Sequence, residues 1–186
     1  RERESRELAV LAAVAGADGI TAQYRIGVIV RDLRVTDAYN GILLNGDSYG
    51  EIAGCRFDGH GNYGISLDSG AGGNLIFDNV LDRNVLDGLK LANLSANNTI
   101  DSNTIVNGQG LGMSFSASDS NSVWNNYVQN NASHGCVIDN GSDSLYVYDN
   151  RIDANGGDGI SITSLGAPTA NGIDSNTVTG NGNDGI

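Results

Sequence analysis

A glycine followed by an apolar residue returns at nearly constant intervals along the chain, and this constrains the fold more than any other feature. The pairs are Gly19-Ile20, Gly41-Ile42, Gly64-Ile65, Gly88-Leu89, Gly112-Met113, Gly135-Cys136, Gly159-Ile160 and Gly185-Ile186, spaced by 22, 23, 24, 24, 23, 24 and 26 residues. A second series keeps the same register. It places an asparagine two positions before an apolar residue, twice per unit, as in Asn74-Leu-Ile76-Phe-Asp-Asn79-Val-Leu81, and returns at Asn98 to Ile105, Asn121 to Val128 and Asn171 to Val178. Self-similarity at a period of roughly 20 to 50 residues marks an array of stacked units, each too small to bury a core alone.

Within a unit the apolar residues alternate, as in Gly64-Ile65-Ser66-Leu67, which is strand periodicity. Short strands at constant spacing, without hairpin turns or helices between them, pair best with their own equivalents one unit later. The chain is therefore expected to be all-β, a right-handed parallel β-helix of about seven coils over residues 17–186. Ile42 and Leu44, Ile65 and Leu67, Leu89 and Leu91, Met113 and Phe115, Cys136 and Ile138, and Ile160 and Ile162 then stack as inward columns. Asn79, Asn103, Asn126, Asn150 and Asn176 form an asparagine ladder at one corner, after Leu33 and Cys55, with the asparagines tolerating the left-handed bend. The recurrent glycines serve positive φ or close approach. Cys55 and Cys136 fall in different columns, too far apart for a disulfide.

The two ends differ. Leu8, Leu11, Ala12 and Ala15 have helical spacing, with Gly16 as a stop, so residues 1–16 are expected to form a short capping helix. The flank RERESRE, whose three glutamates offset its three arginines, disfavours a signal peptide there. The sequence stops at Asn183-Asp184-Gly185-Ile186, the opening of another unit, so further coils or end-to-end self-association are expected.

Composition removes two partner classes. A net charge of -12 repels phosphate backbones, so nucleic acid is not expected, and no apolar run reaches the roughly 20 residues of a spanning helix.

The units resemble the parallel β-helix repeats of pectate lyases, polygalacturonases, phage tailspikes, NosD-like proteins and mannuronan C5-epimerases. Asn155-Gly-Gly-Asp158-Gly-Ile160 and Asn181-Gly-Asn-Asp184-Gly-Ile186 read most like epimerase modules. The resemblance implies an extended, uronic-acid-containing polysaccharide as partner, lyase or epimerase chemistry, and an extracellular, cell-surface or periplasmic location. The epimerase segment Tyr-Gly-Phe-Asp-Pro-His-Glu survives here only as Tyr63 in Tyr63-Gly64-Ile65-Ser66-Leu67-Asp68, with Ser66 in the aspartate place and Asp68 in the histidine place.

The outward residues beside the inward pairs hold the remaining candidates. One column runs Leu43, Ser66, Lys90, Ser114, Val137, Ser161, and the next Asn45, Asp68, Ala92, Ser116, Asp139, Thr163. Proton abstraction beside a uronate carboxylate needs a neutralising cation, a base and an acid, roles open to Lys90, to Asp68 or Asp87, and to Tyr63. The competing reading is a surface Lys-Asp pair. His134 with Asp139 is an alternative base pair, against a solvated turn histidine. Asp158 and Asp184, stacked at successive corners, are a candidate Ca²⁺ site, against ordinary loop aspartates. No other cofactor is implied. The long turn at residues 164–170 would wall one end of the groove. A non-catalytic spacer or adhesin segment of a larger protein is the competing function.

Overall fold

The computed structural model describes residues 9–12, 16–163 and 170–186. Each coil contributes one strand to each of three parallel sheets. The first sheet has seven strands: Ile20–Gln23, Ile42–Asn45, Ile65–Asp68, Leu89–Ala92, Met113–Ser116, Cys136–Asp139 and Ile160–Thr163. The second, also of seven, holds Ile29–Arg31, Glu51–Ala53, Leu75–Phe77, Thr99–Asp101, Ser122–Trp124, Tyr146–Tyr148 and Gly172–Asp174. The third has eight: Ala9–Ala12, Leu33–Thr36, Arg56–Asp58, Val80–Asp82, Thr104–Val106, Tyr127–Gln129, Arg151–Asp153 and Thr177–Thr179. Equivalent residues stack on one another, Leu89 between Ile65 and Met113, for example. The expected right-handed β-helix of about seven coils is the fold, in keeping with the handedness of parallel crossovers.

Alternation in the sequence becomes alternation of burial. One coil turns Ile65, Leu67, Ile76 and Leu81 into the core, all at most 1% exposed. Met113, Phe115 and Cys136 fill the same inward columns at 0% exposure. Each such aliphatic side chain removed from water contributes about 1.5–3 kcal/mol, which is how strands of three or four residues become stable once stacked. Cys55 and Cys136 are free and buried. Burial raises both thiols, Cys136 to about 12, so neither supplies a thiolate near neutral pH.

All three corners carry ladders. The expected one runs from the amide of Cys55 to Asn79 Oδ1, then Asn79 to Asn103, Asn103 to Asn126, Asn126 to Asn150 and Asn150 to Asn176. A second links Gly50, Asn74, Asn98 and Asn121, and a third Asn131, Asn155 and Asn181. The left-handed bend falls on the residue before each asparagine, not on the asparagine itself: Asp78, Ser102, Asn125, Asp149 and Ser175 all have φ between 53° and 55°. That bend turns the chain so that the following side chain points inward to the amide above. The recurrent glycines answer the close approach of coils, since a Cβ on Gly64 would stand 2.6 Å from the carbonyl oxygen of Gly88 and 2.7 Å from Asn84 Nδ2.

The expected helix over residues 1–16 is corrected where it is described. Ala9–Ala12 form a strand paired in register with Leu33–Thr36, Leu11 against Val35. The unpaired edge of the third sheet offers those four residues ladder hydrogen bonds, and helical spacing alone does not compete with them. The remainder of that helix, residues 1–8 and 13–15, lies outside the described residues, as do positions 164–169 of the long turn.

His60 takes an asparagine's place in the third ladder. It is fully buried, its Nδ1 accepts the Ala38 amide at 3.2 Å, and its own amide donates to Asn84 Oδ1. Its Nε2 and Asn84 Nδ2 have no hydrogen-bond partner. Burial holds the imidazole below its ordinary pKa of 6.5, against the opposing charge of Asp58. The unfolded chain therefore takes up this proton first, so the stability His60 supports is complete above about pH 6.5 and lost as pH falls below it. His60→Asn, which supplies an amide acceptor that does not titrate, is expected to abolish that part of the acid dependence in urea unfolding between pH 5 and 7. An unchanged pH dependence would refute the assignment.

Candidate functional site

The chemistry-bearing residues converge on the outer face of the first sheet and the corner that leads into it. The residue before each recurrent glycine occupies this corner, giving the column Asp18, Asn40, Tyr63, Asp87, Leu111, His134, Asp158, Asp184. Its polar members are tied to the backbone of the next coil. Asn40 Oδ1 accepts the Tyr63 amide, Asp87 Oδ1 that of Leu111, His134 Nδ1 that of Asp158, and Asp158 Oδ1 that of Asp184. This corner is therefore a fourth, mixed ladder on the surface, invisible in composition but visible in the glycine spacing.

At its centre Lys90, from Leu89–Ala92, reaches back one coil to Tyr63. Its Nζ donates to the Tyr63 hydroxyl at 2.8 Å and lies 4.5 Å from the ring centroid. Asp87 occupies the coil between Tyr63 and Leu111 in the same column, half-buried, and Ser114 Oγ donates to its Oδ2 at 2.7 Å. Burial raises the Asp87 pKa above the ordinary carboxylate value of 3.8, opposed by the bonds from Ser114 and the Leu111 amide and by the charge of Lys90. Ser114 is the member that the sequence reading passed over. Its signal was its place beside Lys90 in the outward column.

Two expected pairings are replaced by other contacts. Lys90 stands opposite Ser66, while Asp68 stands opposite Asn45 and its Oδ1 accepts from Asn93 Nδ2 at 2.8 Å. His134 faces Asp158, with Nδ1 3.3 Å from Oδ2, and not Asp139. His134 and Asp139 are five residues apart along one coil, about 16 Å, whereas equivalent positions on adjacent coils are about 4.8 Å apart. Lys90 turns toward the corner and Tyr63, while Asp68, on the other side of Ser66, is taken by Asn93. Asp158 is divided between His134 and the Asp184 amide, and among the described residues no group of three His, Cys, Asp or Glu side chains gathers to hold a metal.

Charge sharpens the contrast between faces. On the third sheet Arg34, Arg56 and Arg83 converge on Asp58, 3% exposed. Burial alone would raise that carboxyl, but Arg34 and Arg56 hold it below the ordinary range. Lys90, by contrast, is the one lysine or arginine in the outward columns of the first sheet among the described residues.

The model of the right-handed β-helix region matches residues 12–152, more than half of the chain. The chain belongs to the right-handed β-helix family. Among curated proteins, none matches it by sequence. Solved structures share the fold of this β-helix. A double mutant of the periplasmic alginate epimerase AlgG superposes with a TM-score of 0.76 at 20% identity, covering 82% of this chain and 36% of that one. The A-module of mannuronan C-5 epimerase AlgE6 from Azotobacter vinelandii gives 0.68 at 16%, covering 87% and 53%. Alginate lyase from Paenibacillus sp. str. FPU-7 gives 0.66 at 14%, covering 98% and 80%. This β-helix thus spans about a third of the AlgG chain. No helix among its described residues is long and apolar enough to cross a membrane.

The arrangement on the β-helix offers, within two coils, a cation, a phenol and a carboxyl biased toward holding a proton. A positioned carboxyl of this kind exchanges protons efficiently nearer neutrality than an ordinary one.

Proposed function

We propose that this β-helix acts on an extended, uronic-acid-containing polysaccharide, abstracting the proton beside the uronate carboxylate in a lyase or epimerase reaction. The observation that carries the reading is the Lys90–Tyr63 contact beside half-buried Asp87, which shares Lys90's coil and stacks on Tyr63. Asp87 takes the C5 proton, and the released electron pair delocalises into the adjoining carboxylate, whose charge Lys90 neutralises. The intermediate then follows one of two courses. It regains a proton at C5 from Tyr63 on the opposite face, inverting that centre, or its own C4–O4 bond breaks, the glycosidic oxygen leaving on C1 of the neighbouring sugar with the proton of Tyr63 and a C4=C5 double bond remaining in the ring. Solvent restores both side chains. Further support comes from fold neighbours whose names tie them to alginate. An extracellular, cell-surface or periplasmic location is proposed with this reading.

One observation favours a non-catalytic spacer or adhesin instead: the corner side chains spend acceptors on the backbone of the next coil. Incubation with alginate and with polygalacturonate, each with and without Ca²⁺, separates the two. Unsaturated product is followed by absorbance and C5 inversion by proton NMR. Turnover of at least one uronan is expected, and none on either by a demonstrably folded chain would leave the spacer. Dependence on Ca²⁺ would point to Asp158 and Asp184 as its ligands.

A further inference from the structure

The second sheet carries an aromatic column on its outer face. Its successive residues are Phe77, Asp101, Trp124 and Tyr148, in register on adjacent coils. Trp124 and Tyr148 are stacked, with ring centroids 5.7 Å apart and planes within 4°. Since Tyr148 covers one face of the indole, the other face is turned toward the coil of Asp101, where the column holds a short carboxylate and no ring. Phe77 resumes the column on the far side. Two coils separate Phe77 from Trp124, about 9.6 Å, so a six-membered ring placed between them would lie about 4.8 Å from each, within the range of ring-to-ring contact.

We propose that this gap is a subsite for one ring of a neutral sugar, stacked between Phe77 and Trp124. Its floor is polar: Asp101 and Thr99 point outward from their strand, and Ser102 donates to Asp101 Oδ1 at 2.7 Å. A carboxylate and hydroxyls are the partners that sugar hydroxyls need. The surroundings select against an anionic ring, because Asp101 lies in the gap and Asp149 beside Tyr148. Burial together with those two charges holds the Tyr148 phenol above its ordinary pKa. The subsite lies on a different sheet from Tyr63, Asp87 and Lys90, and stands independently of the uronan reading.

Trp124 is the single tryptophan of the chain, so its emission reports on this subsite alone. The full chain is titrated with maltohexaose, cellohexaose, xylohexaose and mannohexaose, and with a mannuronate hexamer as the anionic control. At least one neutral hexasaccharide is expected to shift the emission saturably, and the mannuronate hexamer is not. Asp101→Phe continues the aromatic column, fills the gap and preserves the thermal unfolding transition; it is expected to abolish the response. Phe77→Ala should weaken binding roughly tenfold, with Phe77→Tyr restoring it. Lys90→Ala should leave the response unchanged. Silence toward all four neutral sugars, an equal response to the mannuronate hexamer, or a response that survives in Asp101→Phe would overturn the proposal. A concentration-dependent shift without sugar, matched by dimers in sedimentation, would assign the face to a second copy of the chain and overturn it equally.

Discussion

Asn103→Ala is expected to lower the unfolding free energy by about 3–5 kcal/mol, more than any other single polar truncation considered for this chain. Asn103 is 1% exposed and central in its ladder. Its Oδ1 accepts both the amide and the Nδ2 of Asn79, and its Nδ2 donates to the Ile76 carbonyl and to Asn126 Oδ1. Alanine leaves two donors of Asn79 and one carbonyl buried without partners, each costing about 1–3 kcal/mol. The defect lies mid-solenoid, where each coil is stabilised only by its two neighbours, so no other contact compensates it. Urea unfolding followed by circular dichroism measures the effect. Thr99→Ala, at an outward position of the neighbouring strand, serves as the control and should stay within about 0.5 kcal/mol of the parent. Equal losses in the two variants would show that the ladder is decorative.

Lys90→Ala and Asp87→Asn are each expected to cut uronan turnover by about 10²–10⁴-fold. They should fail differently. Lys90→Ala removes the charge facing the uronate carboxylate and the donor on Tyr63, so it should also weaken substrate binding. Asp87→Asn keeps the shape and the Ser114 contact but removes the base, so kcat falls and KM does not. The pH profile gives a second readout. Because Asp87 must be ionised to accept the proton, turnover is present above its raised pKa and lost as pH falls through it. That acidic limb should lie above the usual carboxylate range and be absent from the residual activity of Asp87→Asn. Full activity in Lys90→Ala would move the chemistry toward His134 and Asp158.

Much of this molecule can be read from its repeats, for a physical reason. Parallel strands pair like with like when the units are nearly identical, so a periodicity measured in sequence is also a spatial register. From that follow the three sheets, the stacked inward pairs from Ile42 to Ile162, and the ladder from Asn79 to Asn176. The same logic extends to the corner column running from Asp18 to Asp184, although its role in capping backbone amides shows only in coordinates. His60 was hidden because a histidine in an asparagine column breaks the very pattern by which the column is recognised.

What sequence alone determined is therefore the solenoid, its core and the face on which charge and hydroxyls gather. Tertiary structure decided which of those groups touch. Lys90 has several rotamers, and Tyr63 and Asp68 both lie on the preceding coil, to either side of Ser66; it pairs with Tyr63, while the Asp68 carboxylate accepts from Asn93. Tertiary structure likewise made Ala9–Ala12 a strand against local helical spacing, since an open sheet edge offers long-range hydrogen bonds that no local pattern can foresee.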